Sequence, residues 1–106
     1  MNEARLELTV PQHHPCFADH FPSRAIVPGA LILQWLCQLV QGHYPGQRVS
    51  RVKSMKFLGT LEPGDRCFLS LAAGAGAGQL KLTLLQGEQT VCQGMVDLVA
   101  EQGSML

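Results

Sequence analysis

The chain has 106 residues, 46% hydrophobic and 15% charged, and its 8 Lys and Arg balance its 8 Asp and Glu. That length permits one small domain, so residues 1–106 are expected to fold as a unit with a frayed tail from about residue 101. A formal net charge of zero removes any global pull toward nucleic acid.

Arg5 to Val10 alternates polar and apolar with period two and reads as a half-buried strand stopped by Pro11. Pro15 to Phe21 is extended and loop-like. A helix is expected to start at Pro28 or Gly29, because proline suits the first helical position, where its missing N–H costs nothing. Ala30, Leu31, Ile32, Leu33, Trp35, Leu36, Cys37, Leu39 and Val40 make it apolar nearly all round, and Gln34, Gln38 and Gln41 share one narrow stripe. Such a helix is expected to be buried. At roughly 14 residues it falls short of the ~20 that cross a bilayer, so no membrane span is expected. The rest of the chain should wrap it.

His43-Tyr44-Pro45-Gly46 stops the helix. A long strand, Arg48 to Thr60, is then expected, alternating through Val49, Arg51, Lys53, Met55 and Phe57. Glu62-Pro63-Gly64-Asp65 is a turn. Strands are expected over Arg66–Ala73, Gln79–Gln86 and Thr90–Ala100. The Gly-Ala run from Gly74 to Gly78 has no Lys-Ser/Thr behind it and no helix to cap, so it reads as a hairpin connection rather than a phosphate loop. One buried helix followed by an antiparallel meander is an α+β architecture, a curved sheet folded round a central helix.

Charge is uneven along the chain. Between His20 and Leu61 there is no acidic residue, while Arg24, Arg48, Arg51, Lys53 and Lys56 give +5, a possible landing surface for an acidic partner. The cysteines at 16, 37, 67 and 92 form no close pair and read as reduced, buried thiols. MNEARLELTV lacks the apolar core of a signal peptide, so the cytoplasm is expected.

The chemistry is concentrated where His20-Phe21-Pro22 precedes Pro28-Gly29 by a short loop. A helix N-terminus offers unpaired N–H groups and partial positive charge to an anion or a polarised carbonyl. With a titratable imidazole beside it, this is a minimal kit for proton abstraction next to a carbonyl. A metal site built from His13, His14, Cys16, Asp19 and His20 is the less favoured alternative, since its spacing matches no recognised zinc motif. No metal and no cofactor is expected.

These residues resemble the hotdog-fold 3-hydroxyacyl-acyl-carrier-protein dehydratases. The shared pattern is Phe17, His20-Phe21-Pro22, Pro28-Gly29, and a helix whose acid position, five residues after the glycine, is Gln34, with Gln38 further along. Lys56-Phe57 and Glu62-Pro63-Gly64-Asp65 extend the resemblance, and the short length and Trp35 are similar to the aryl-polyene branch. The resemblance implies a hotdog fold and a (3R)-3-hydroxyacyl thioester substrate carried by acyl carrier protein or coenzyme A.

By the same resemblance His20 removes the C2 proton, the Gly29 amide polarises the thioester carbonyl, and the Ile26 carbonyl holds the other ring nitrogen. An acid from the helix, often supplied across a dimer interface, helps the hydroxyl leave. Phe17, Phe21, Ile26, Pro28, Leu31 and Leu33 are the expected substrate-binding residues, with Leu36 a further tunnel candidate. Arg24, Arg48, Arg51, Lys53 and Lys56 are the expected carrier-protein contacts. The chain departs from the pattern at Gln34, which cannot give up a proton near neutral pH, at Asp19, and at Ser23-Arg24-Ala25. Hence two alternatives stand beside the dehydratase: a non-catalytic hotdog subunit that binds acyl thioesters or pairs with an active one, and a hotdog thioesterase. A homodimer or higher oligomer is expected, or a heterodimer with a related hotdog subunit.

Overall fold

A computed structural model describes residues 4–14 and 26–101. Its elements are β1 (Ala4–Thr9), α1 (Gly29–His43), β2 (Gln47–Phe57), β3 (Arg66–Ala73), β4 (Gln79–Gln86) and β5 (Gln89–Ala100). The strands form one five-stranded sheet in the order β1-β3-β4-β5-β2, with every neighbouring pair antiparallel. This is the α+β architecture expected of a hotdog protein.

Period-two patterning decides which side of the sheet is covered. Cys67, Leu69 and Leu71 of β3, Leu80, Leu82 and Leu84 of β4, and Cys92 and Val96 of β5 are all buried. Pairing lines them up in rows: Leu69–Leu84–Cys92–Phe57, and Leu71–Leu82–Gly94–Met55. Each fully buried leucine contributes about 1.5–3 kcal/mol. Ile32, Leu36 and Val40 of α1 join this core at i, i+4 and i+8.

The helix is thus buried on one stripe rather than all round. Leu31, Leu33, Trp35, Cys37 and Leu39 are half-buried, while Gln34, Gln38 and Gln41 are exposed together, as their spacing predicts. One sheet covers one side of a helix, and among the described residues no second layer lies over the other side. Tyr44 N–H donates to the Val40 carbonyl at the helix end, and Gln41 Oε1 accepts the N–H of Val49, fastening the helix to β2.

β2 departs from the simple alternation expected of it. Register shifts between Val49 and Arg51 and between Val52 and Ser54 let two residues oppose one on β5. Val49 pairs with Leu98, and Arg51 with Asp97, the next residue of β5. Adjacent strand residues point to opposite faces, so Val49 and Arg51 do too. The inward set on β2 is therefore Val49, Val52, Met55 and Phe57, not every second residue.

The turn between β2 and β3 forms as its residues dictate. Asp65 N–H donates to the Glu62 carbonyl, Glu62 N–H donates back to Asp65 Oδ2, and Gly64 takes φ +85, which favours glycine.

Candidate active site at the start of the helix

Val27 is buried, and its N–H donates to the carbonyl of buried Leu61 at 2.9 Å. This fixes the chain just before α1. Pro28 follows in an extended conformation (φ −61, ψ 144), and its carbonyl accepts the N–H groups of Leu31 and Ile32. Pro28 supplies no side-chain cap, and among the described residues the N–H groups of Gly29 and Ala30 have no acceptor. An uncapped N-terminus without a competing oxygen keeps its donors for a substrate.

The surroundings of these donors are apolar. The Phe57 ring lies 3.4 Å from where a Cβ on Gly29 would stand, so an apolar ring flanks the helix start. Leu58 N–H and Gly59 N–H both donate to the Val91 carbonyl, which sets the direction of the chain beyond Phe57. Phe57 is 43% and Leu58 55% exposed. Amide donors beside an apolar wall suit an acyl thioester, whose carbonyl takes a hydrogen bond while its chain avoids water.

Of the expected site residues, Pro28 and Gly29 stand at the helix start, with half-buried Ile26 two residues ahead of Pro28. Leu31 packs against the core, Leu33 is half-buried, and Leu36, fully buried at 0%, belongs to the core. Gln34 is exposed, about 140° round the helix from Gly29, so the two do not converge within one chain. His20, Phe17, Phe21 and Arg24 lie outside the described residues, as do Cys16 and Asp19. Arg48, Arg51, Lys53 and Lys56 are exposed on β2.

Phe57 was legible only as part of the Lys-Phe pair. Its contact with Gly29 depends on long-range register, which no local pattern reports.

Elsewhere, His14 sets its ring edge-on to Trp35, 5.5 Å between centroids. Among the described residues no three His, Cys, Asp or Glu side chains gather as metal ligands. Burial pushes the Cys67 thiol up to about 11, helped by Asp65, and the Cys92 thiol likewise to about 11, helped by Cys67. Burial also raises the Cys37 thiol. Thiols held protonated in this way are poor nucleophiles. A cavity of about 380 Å³, lined by Ser54, Lys56, Lys81, Gln93 and Met95 among others, opens at strands β2, β5 and β4 rather than at the helix start.

A helix laid across one face of a five-stranded antiparallel sheet, its open N-terminus beside a strand end, defines a hotdog protein. The chain belongs to the ApeI-like family, described as ApeI dehydratase, which it matches over residues 1–95. It is 30% identical over 90 residues to the 3-hydroxyacyl-[acyl-carrier-protein] dehydratase FabZ of Proteus mirabilis (strain HI4320), an alignment covering 85% of this chain and 50% of that one. The chain thus spans about half the length of the curated relatives it matches.

Among solved structures it is similar to the dehydratase heterocomplex ApeI:P from Xenorhabdus doucetiae, with TM-score 0.75 and 27% identity over 91% of this chain and 86% of that one. The fold is shared with the (R)-hydratase from A. caviae involved in PHA biosynthesis, with TM-score 0.67 and 18% identity over 94% and 95% of the two chains. No helix among the described residues is long and apolar enough to cross a membrane.

Proposed function

We propose that this chain dehydrates a (3R)-3-hydroxyacyl thioester, on acyl carrier protein or coenzyme A, as one half of a hotdog pair. The observation that carries this is the uncapped start of α1, with the Phe57 ring beside Gly29, in a chain of a dehydratase family. His20 takes the C2 proton; the thioester carbonyl, bound at the Gly29 amide, holds the developing enolate. The C2–C3 double bond forms as the 3-hydroxyl leaves with a proton as water. Phe17, Phe21, Ile26, Pro28, Leu31 and Leu33 line the way for the acyl chain. Arg24 draws in an acidic carrier, and cysteines without close spacing suit a reducing cytoplasm.

Gln34 favours a specific form of this reading. Its amide orients a water or the leaving hydroxyl but supplies no proton. The proton then comes from a carboxylate of the partner subunit, a pairing for which the ApeI:P heterocomplex is a precedent among similar proteins. The same residue supports the second reading, a non-catalytic subunit of such a pair.

Enoyl thioester formation, followed by ultraviolet absorbance, tests both. Wild type is expected to be slow alone, His20→Ala inactive, and Gln34→Glu faster by on the order of 10²-fold, since a positioned general acid contributes about 10²–10⁴. Product from Gln34→Glu but none from wild type, with or without a partner, would mark the non-catalytic subunit. Equal rates for wild type and His20→Ala would remove His20 from the mechanism.

A further inference from the structure

β2 ends the sheet, with β5 on one side and no strand on the other among the described residues. Its inward residues Val52 and Phe57 remain 37% and 43% exposed, so α1 covers them only in part. An edge strand of 11 residues with apolar side chains on its covered face is a template for another strand.

Its facing pattern specifies where that strand sits. The two register shifts fall between Val49 and Arg51 and between Val52 and Ser54. Inward Val49 and Met55 lie three residues either side of Val52, and outward Arg48 and Lys56 four either side. An antiparallel strand with the same pattern, centred on Val52, would therefore match inward to inward and outward to outward along the edge.

Charge decides whose strand it is. β2 reads QRVSRVKSMKF, with Arg48, Arg51, Lys53 and Lys56 and no acid. A second copy in that register would set Arg48 opposite Lys56 and Arg51 opposite Lys53, each twice. Like charges directly opposite are destabilising. Within the chain Asp97 lies across from Arg51, but Arg48 and Lys56 pair with Val99 and Gln93, and no ion pair to β2 forms among the described residues.

We infer that the β2 edge pairs with the edge strand of a different hotdog chain, one carrying carboxylates opposite Arg48, Arg51, Lys53 and Lys56. This rests on the proposal that the chain works in a hotdog pair, and it adds how the pair is chosen: the cations repel a second copy and select an acidic partner. A partner with a helix carboxylate would complete the site formed by His20 and leave the one holding Gln34 incomplete.

An acidic copy of this chain serves as the probe. The variant Arg48→Glu/Arg51→Glu/Lys53→Glu/Lys56→Glu reverses the edge; Arg48→Glu/Lys56→Glu, which leaves Arg51 opposite Asp97, is the milder form should the first fail to fold by circular dichroism. Isotope-labelled wild type is mixed with either, and dimers are counted by native mass spectrometry and sedimentation. Mixed dimers are expected to exceed the statistical half and to form at least about tenfold more tightly than wild-type dimers at low salt. Raising salt should weaken the mixed pair and strengthen the wild-type one, because screening removes attraction in the first and repulsion in the second. Statistical mixing with salt-independent affinity, or monomers throughout, would overturn the inference. So would a reversed edge that loses only binding of a carrier-linked substrate, since the cations would then serve the carrier. None of these readings depends on dehydration, so the site and the pairing fail separately.

Discussion

The Phe57 ring lies against Gly29, its Cε2 and Cζ 3.4 Å from the place a β-carbon would take. A strand end and a helix start that are 28 residues apart in sequence are in this way pressed together at the two donors that a substrate carbonyl needs. The separation is ordinary van der Waals contact, so the glycine is spare room rather than a steric necessity.

Gly29→Ala should therefore leave the fold intact. Alanine is the better helix former, and its methyl just reaches the ring, so stability should stay level or rise by about 0.5 kcal/mol. Dehydration should fall about tenfold or more, because the methyl narrows the approach to the amide. Denaturant melts and the enoyl assay on the same preparation check the pair of outcomes; equal loss of both would place the residue in folding alone.

Gly94 is the opposite case. A Cβ there would run into the Ser54 carbonyl oxygen and sit 3.0 Å from both Met55 Cα and Met55 Cε. Backbone cannot yield as a side-chain tip can, so Gly94→Ala should push β2 off β5 at the cost of about 3 kcal/mol. For a domain of this size that is a fall in Tm of more than ~10 °C.

The Gln41–Val49 hydrogen bond, 2.9 Å and exposed, fastens the end of α1 to β2. Gln41→Ala should cost about 0.5–1 kcal/mol. Backbone hydrogen exchange would localise the effect, with protection at Val49 falling before protection at Leu82 or Leu84 in the core.

Stability should also fall in alkali. The folded state holds Cys67 and Cys92 protonated to about 11, above their ordinary 9.0, so their contribution is complete below pH 9 and is lost as pH rises toward 11. Each thiolate costs on the order of 2 kcal/mol in that window. Thermal melts between pH 8 and 11, as rough limits, should show the slope, and Cys92→Ala should flatten it. Ellman's reagent at neutral pH should leave both thiols unmodified until the protein is unfolded.

Much of the fold could be read from local pattern. β3 and β4 have the expected bounds, since each is a short alternating run closed by glycine turns, and α1 starts at one of the two expected residues. The glutamine stripe was also legible, because helical spacing alone puts Gln34, Gln38 and Gln41 together. The facing of β2 was not. Its shifts answer to β5, where Gly94 lets Met55 come close, and nothing in QRVSRVKSMKF reports its partner. Burial of α1 on one side only was equally hidden, because an all-apolar helix cannot say how much of its cover its own chain supplies. At the site, Pro28-Gly29 carried its own signature, whereas Phe57 arrived from a distant strand.

The order of elements along the chain has a consequence for synthesis. α1 is complete at His43, yet β5, which finishes the sheet beneath it, ends at Ala100, 57 residues later. At roughly 5–20 residues per second, a ribosome takes about 3–11 s to cover that interval. Throughout it Ile32, Leu36 and Val40 have a helix's shape but no complete floor to rest on. The nascent chain therefore passes through a window in which its most apolar segment is available to chaperones, or to the same segment of a neighbouring chain.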